Sequence, residues 1–160
     1  MRLGIVSDSH GHVALTRPAI RMLESLEVDC VLHCGDIGSP EIVELFAAWP
    51  THFVYGNCDS NRVELATAVT AAGQTWHGAF GELELAGRRI ALLHSDDRRL
   101  FQETVRSGAW DLVCYGHTHV AAIDRHGPTL VLNPGALYRA EPHSLAIVEL
   151  PALQATIVRI

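Results

Sequence analysis

The chain has 160 residues, 48% of them hydrophobic and 19% charged, a balance that suits one ample core and excludes disordered and fibrous classes. All twelve basic residues are arginine, which removes Schiff-base lysine chemistry and the phosphate-gripping lysine of a P-loop. The formal net charge of −6 argues against nucleic-acid binding through clustered cations, so an anionic substrate has to be attracted locally.

In chain order, 2–7 reads as a buried strand and 16–26 as a helix, with Thr16 as N-cap and Ala19, Ile20, Leu23 and Leu26 at helical spacing. A strand over 30–34 follows. Ser39 and Pro40 then supply a cap and a first-turn proline for a helix with Ile42, Leu45 and Phe46 on one face, and 51–55 is the next strand. Strands alternating with helices imply parallel pairing and right-handed crossovers. Beyond residue 75 the pattern changes. Leu83 and Leu85 alternate with Glu82 and Glu84, and Ala86-Gly87 leads into 88–93, as in an antiparallel hairpin with one wet face. A helix over 96–107 ends at Gly108, and 111–115 is again a buried strand. His126-Gly127 turns a hairpin between 120–125 and 129–132, and Pro151 separates strands at 144–150 and 154–160. With no linker and no repeat, a single domain over 1–160 is expected.

The apolar run 2–7 is too short for a signal peptide, and the uncharged stretch 65–81 carries Thr67, Thr70, Gln74, Thr75 and His77, unlike a membrane span. A cytoplasmic protein without a membrane partner is expected. Cys30, Cys34, Cys58 and Cys114 lack CxxC spacing and read as free, mostly buried thiols.

Five apolar strands end in a side chain able to ligate a metal: Asp8 and His10 after the first, then Asp36, Asn57, His94, and His117 with His119. In α/β sheets, groups just past the carboxyl ends of strands converge on one crevice although they are distant in sequence. Taken singly, each has a structural explanation: Asp8-Ser9-His10 as a capping turn, Gly35-Asp36 and Gly56-Asn57 as ordinary turns, the histidines as loop residues. Together, always after an apolar strand, they make a donor set of two carboxylates, an amide and four imidazoles that suits Mn, Fe, Ni or Zn. The set is too rich for one ion. It would hold two cations ~3.5 to 4 Å apart, an arrangement that orients a water and clamps both oxygens of an in-line phosphoryl displacement.

Asp8-x-His10, Gly35-Asp36, Gly56-Asn57-Cys58-Asp59, His94, Gly116-His117-Thr118-His119 and Asn133-Pro134-Gly135 together resemble the calcineurin-like metallophosphoesterase superfamily. More narrowly they are similar to its YfcE-type branch of small phosphodiesterases, which includes the retromer subunit Vps29. The resemblance implies a four-layer α/β/β/α sandwich of two mixed sheets flanked by helices. It implies a dinuclear phosphodiesterase in which a metal-bridging hydroxide attacks phosphorus in line, with manganese the leading cofactor and a phosphate ester the substrate. Position by position, it assigns one metal to Asp8, His10, Asp36 and His119 and the other to Asp36, Asn57, His94 and His117. Asn57, His94 and His117 are then also the catalytic residues, and Asn133-Pro134-Gly135 shapes the adjoining turn. A phosphomonoesterase and a protein-binding scaffold of the same fold are the alternatives, and homo-oligomerisation stays open. Two positions depart from the wider superfamily. Cys58 stands where many members have histidine, and reads as a small buried hydrophobe. His94-Ser95-Asp96 replaces a frequent His-Gly-His, with Ser95 expected to cap the next helix and Asp96 to bring negative charge near the phosphate. Arg62, Arg98, Arg99 and Arg139 are expected on solvated faces, and His33, like the other histidines outside the motifs, at the surface or behind the site, where it could hydrogen-bond a ligand.

Overall fold

The computed structural model describes all residues from Met1 to Ile160. Its first half runs β1 (Arg2–Val6), α1 (Val13–Ser25), β2 (Cys30–His33), α2 (Pro40–Leu45), β3 (Thr51–Phe53), α3 (Arg62–Ala71) and β4 (Thr75–Trp76). Strands β1 to β4 pair in parallel. β10 (Ser144–Glu149) adds to β1 antiparallel and β11 (Gln154–Arg159) adds to β10, giving a six-stranded sheet of order β11-β10-β1-β2-β3-β4. The second sheet holds β5 (Phe80–Leu85), β6 (Arg88–Leu93), β7 (Leu112–Cys114), β8 (Ala122–His126) and β9 (Thr129–Asn133) in the order β5-β6-β7-β9-β8, with α4 (Arg98–Arg106) between β6 and β7.

Three buried clusters define four layers. Leu3, Ile5 and Leu32 of the first sheet meet Ile90, Leu92 and Leu132 of the second in a cluster of 17 residues between the sheets. Val6, Val31 and Phe53 face the other way, against Ala19, Leu23, Ile42 and Phe46 beneath the first three helices. Ala91, Leu93 and Val113 pack on Leu100, Phe101 and Val105 of α4. β2 is buried on both faces, which is why its sequence is apolar without alternation. The α/β/β/α sandwich read from the sequence is thus the observed architecture. No helix is long and apolar enough to cross a membrane.

Local chemistry moves several boundaries. α1 starts at Val13 and not after Thr16, because the Thr16 hydroxyl is satisfied inside the helix by donating to the His12 carbonyl at 3.0 Å. α4 starts at Arg98, capped by Asp97, whose Oδ1 accepts from the backbone N–H groups of Arg99 and Leu100 at 3.0 and 2.9 Å. Ser95 is no cap. Its hydroxyl donates to the Gly116 carbonyl at 3.2 Å, tying two strand tips of the second sheet. α3 and β4 have no clear signature in the sequence: α3 mixes exposed Val63 and Ala71 with exposed Arg62, Glu64, Thr67 and Thr70, with only Leu65 and Val69 buried, and β4 has two residues. Asn61 caps α3 by accepting from the Glu64 backbone N–H at 3.3 Å, while its amide donates to the Glu64 carboxylate at 2.7 Å. Cys30, Cys34 and Cys114 are buried free thiols, whereas Cys58 is exposed.

Candidate metal centre

The parallel pairing of β1 with β2 continues past the strand ends. Asp8 N–H donates to the Gly35 carbonyl at 3.0 Å, His10 N–H to Asp36 at 2.9 Å and Gly11 N–H to Ile37 at 2.8 Å. This ladder brings Asp8 and His10 alongside Asp36. The β3 tip joins through Asp59, a buried carboxylate that accepts from the N–H groups of Ile37, Gly38 and Gly56 at 3.1, 2.8 and 2.9 Å. The Cys58 N–H donates to Asp36 Oδ1 at 2.8 Å.

The second sheet contributes from the opposite side. His94 Nδ1 lies 2.8 Å from the Cys34 carbonyl, and His117 N–H donates to Asp8 Oδ2 at 3.1 Å, so each sheet holds a group of the other in place. Asn133 donates from its amide to the Gly116 carbonyl at 3.0 Å and to Thr118 Oγ1 at 3.1 Å, fixing the loop that carries His117 and His119.

The tips meet closely. Asp8, His10 and His119 offer ligand atoms within 4.8 Å of one another, as do Asp8, Asp36 and His94. A third group of the same span contains His10, Asp36 and the Cys58 thiol. His119 Nε2 is 3.1 Å from Asp8 Oδ1, and His94 Nε2 is 3.3 Å from Asp36 Oδ2. The His117 ring sits 5.2 Å from that of His94, centroid to centroid, and is exposed, as is Asn57, whose amide touches the Cys58 sulfur. Asp8, Asp36, His10, His94 and His119 are therefore gathered at ligand distances, with His117 and Asn57 at the mouth.

Several features fit a cation here. Asp8 Oδ1 and His94 Nε2 are buried without a hydrogen-bond partner, a cost that folded chains rarely leave uncompensated. The carbonyls of Cys34 and Arg139 accept from Nδ1 of His94 and His119, at 2.8 and 3.2 Å, which directs each Nε2 lone pair into the cluster. Asp8, His10, Asp36, His117 and His119 all have φ between 47° and 73°, a left-handed backbone that costs roughly 1 to 2 kcal/mol per residue and concentrates where side chains must converge. Glycine is sterically required beside them: a Cβ on Gly56 would lie 2.1 Å from Asp36 Oδ1, and one on Gly116 2.0 Å from Ser7 Oγ.

The same proximity shifts the titratable groups of the cluster. Burial would raise the Asp36 carboxyl, but His94 and the Cys58 N–H outweigh it and hold Asp36 below the usual carboxylate range. Burial lowers His94, yet the Asp36 carboxylate more than offsets that and the imidazole ends above its ordinary value. Burial wins at His10, which is lowered. Cys58 is raised by partial burial and by Asp36, so the thiol stays protonated. It is an exposed neighbour of the cluster and not the buried hydrophobe expected, because the β3 tip turns it outward once its N–H is bound to Asp36.

His33 does not reach a ligand. It is buried, pushed down to about 3 by desolvation, and lies 2.9 Å from Ser9 Oγ, whose proton goes to the Ile37 carbonyl. Arg99 pairs with Glu103 on a solvated face, while Arg139 stacks near Tyr138. Tyr138, which nothing in the sequence marked out, stacks on His12 at 3.6 Å between ring centroids and meets His10 edge-on at 5.7 Å.

Residues 1–152 match the family model described as the calcineurin-like phosphoesterase superfamily domain. Phosphodiesterase MJ0936 of Methanocaldococcus jannaschii is 30% identical over 138 residues, covering 84% of this chain and 83% of that protein. Among solved structures, an archaeal phosphodiesterase superposes over 100% of both chains with a TM-score of 0.92 at 26% identity. Vps29 of Entamoeba histolytica, solved as a zinc complex, superposes over 100% of this chain and 98% of its own with a TM-score of 0.71 at 18% identity, a likeness of fold.

Proposed function

The chain belongs to the calcineurin-like phosphoesterase superfamily, and from that premise we propose that it is a dinuclear metal-dependent phosphodiesterase. In this reading Asp8, His10, Asp36 and His119 hold one divalent cation, and Asp36, Asn57, His94 and His117 hold the other, with Asp36 shared. Manganese is the expected ion, with nickel, zinc and iron as substitutes of the same donor preference. The observation that carries the reading is the pair of buried, unpartnered ligand atoms, Asp8 Oδ1 and His94 Nε2, in residues that cluster with Asp36.

Cations bound there offset the negative charge of a phosphate ester and lower the pKa of water enough to provide a nucleophile at neutral pH. The protein's part is to keep the ligands rigid and dry. Asp8, Asp36 and His94 are at most 2% exposed, and the carbonyls behind His94 and His119 fix which ring nitrogen faces inward. In this reading Asn57 and His117, which are exposed, also contact a substrate oxygen. Cys58 is a weak hydrogen-bond donor beside them, so turnover should favour esters with good leaving groups. The one-domain organisation and a cytoplasmic location belong to the same proposal.

The test is hydrolysis of bis(p-nitrophenyl) phosphate by manganese-loaded protein, compared with p-nitrophenyl phosphate under identical conditions. A faster diester reaction that Asp36→Ala and His117→Ala each reduce to background, with unchanged circular dichroism, supports the proposal. Full turnover in either variant overturns the ligand assignment. Elemental analysis after purification without chelator separates the scaffold alternative, which requires no bound metal even when manganese or zinc is supplied.

A further inference from the structure

Beside the cluster, a cleft of about 260 Å³ opens between the tips of β3 and β6. His94 forms its inner end, Leu93, Leu100 and Ala79 give it apolar surface, and Tyr55 and Arg62 form one wall. The wall is a built stack. The Arg62 guanidinium carbon lies 3.7 Å from the centroid of the Tyr55 ring, and Arg62 Nε donates to the Asp59 carbonyl at 3.3 Å. Asp59 is the carboxylate that knits the β2 and β3 tips together, so Arg62 is anchored to the frame of the cluster itself. Tyr55 is backed in turn by Trp76, 6.1 Å away between centroids.

Arg62 is exposed and has no carboxylate partner among the ion pairs, although the chain is acidic. It also lines a second groove, of about 700 Å³, that runs along α3 past Ala66 and Trp76. One face of the guanidinium is taken by Tyr55, and the side chain borders both the cleft and the groove. A guanidinium braced in this way offers a flat, weakly hydrated surface that stacks on planar rings, which an ammonium cannot do.

We propose that this cleft receives one alcohol group of the ester, and that Arg62, braced on Tyr55, is a specificity-determining residue that stacks a planar aromatic ring carried by that alcohol. The inference rests on the phosphodiesterase reading and names its substrate class: diesters of nucleosides or of aryl alcohols. The carboxylate of Asp96 also borders the cleft, while that of Asp97 is engaged in capping α4. A second anionic group on the substrate is repelled there, and sugar hydroxyls find an acceptor, which ranks the nucleoside above the simple aryl group.

The experiment measures binding, not turnover. Metal-loaded protein is titrated calorimetrically with three hydrolysis-inert phosphonates, those of methyl, phenyl and thymidine, which share the anion and differ only in the organic group. Expected is an order thymidine, phenyl, methyl, with the ring-bearing ligands tighter by about 5- to 100-fold, the range of one stacked base. Arg62→Ala removes most of that preference and Arg62→Lys fails to restore it. Thymidine above phenyl assigns the nucleoside source, and phenyl above thymidine the aryl source. Equal wild-type affinities overturn the inference, as does an Arg62→Ala variant that weakens all three ligands by one factor, because Arg62 then contacts the phosphate. Loss of diester hydrolysis in the wild type with the ring preference intact overturns only the catalytic reading.

Discussion

Asp59 touches no candidate ligand atom, yet three backbone N–H groups from two strand tips end on its carboxylate. Replacing it with alanine leaves the buried N–H groups of Ile37 and Gly56 unpaired, at roughly 1 to 3 kcal/mol each, and frees the part-buried Gly38 N–H. Asp59→Ala should therefore lose at least about 2 kcal/mol of stability by urea denaturation, and Asp59→Asn, which keeps one acceptor oxygen, clearly less. An alanine variant of wild-type stability would show that the loops hold themselves. Gly56 gives a sharper separation of site from fold. Its missing Cβ is the space that Asp36 Oδ1 occupies, so Gly56→Ala should weaken manganese binding in a calorimetric titration by far more than it lowers the melting temperature.

At the scale of elements, β3 and β4 are joined side by side through His52 and His77, whose ring nitrogens are 2.9 Å apart. Burial lowers both imidazoles, His52 to about 4. The unfolded chain binds those protons near pH 6.5 and the folded chain does not. Stability contributed by the pair is hence complete above pH 6.5 and falls as the pH drops below it, for His52 as far as about pH 4. Buried His33 adds to the same slope. Urea midpoints between pH 7 and 4.5 should show this decline, and His52→Asn should flatten it; an unchanged slope in the variant would place the titration elsewhere. The same element shows why α3 escaped a reading by periodicity. Only Leu65 and Val69 are buried, and Val63 and Ala71 share the solvent face with Arg62, Glu64, Thr67 and Thr70, so apolar and polar positions do not separate into two clean stripes.

For the whole molecule, the two sheets share one apolar interlayer, and the cluster lies where their strand tips cross from both sides. A metal bound there, as proposed, would link the layers and stabilise the folded state. At a concentration 100 times the dissociation constant this adds about 2.7 kcal/mol. Manganese should accordingly raise the melting temperature of the wild type and leave that of Asp36→Ala in place. An equal rise in both would locate the ion outside the cluster.

The sequence by itself determined most of the strands and helices, α3 and β4 excepted, the parallel first half and the tips that carry Asp8, His10, Asp36, Asn57, His94, His117 and His119, because apolar runs, turn residues and metal-capable side chains are local properties of the chain. It also carried the superfamily, since those motifs fall in a fixed order. Only the tertiary structure decided that ligand atoms of Asp8, Asp36 and His94 lie within 4.8 Å of one another, that Asp59 knits the tips together, that Cys58 turns outward, and that Arg62 lies over Tyr55 in the cleft that His94 also lines. Those relations join segments from different strand tips, and they depend on how two sheets pack face to face, which no local pattern records.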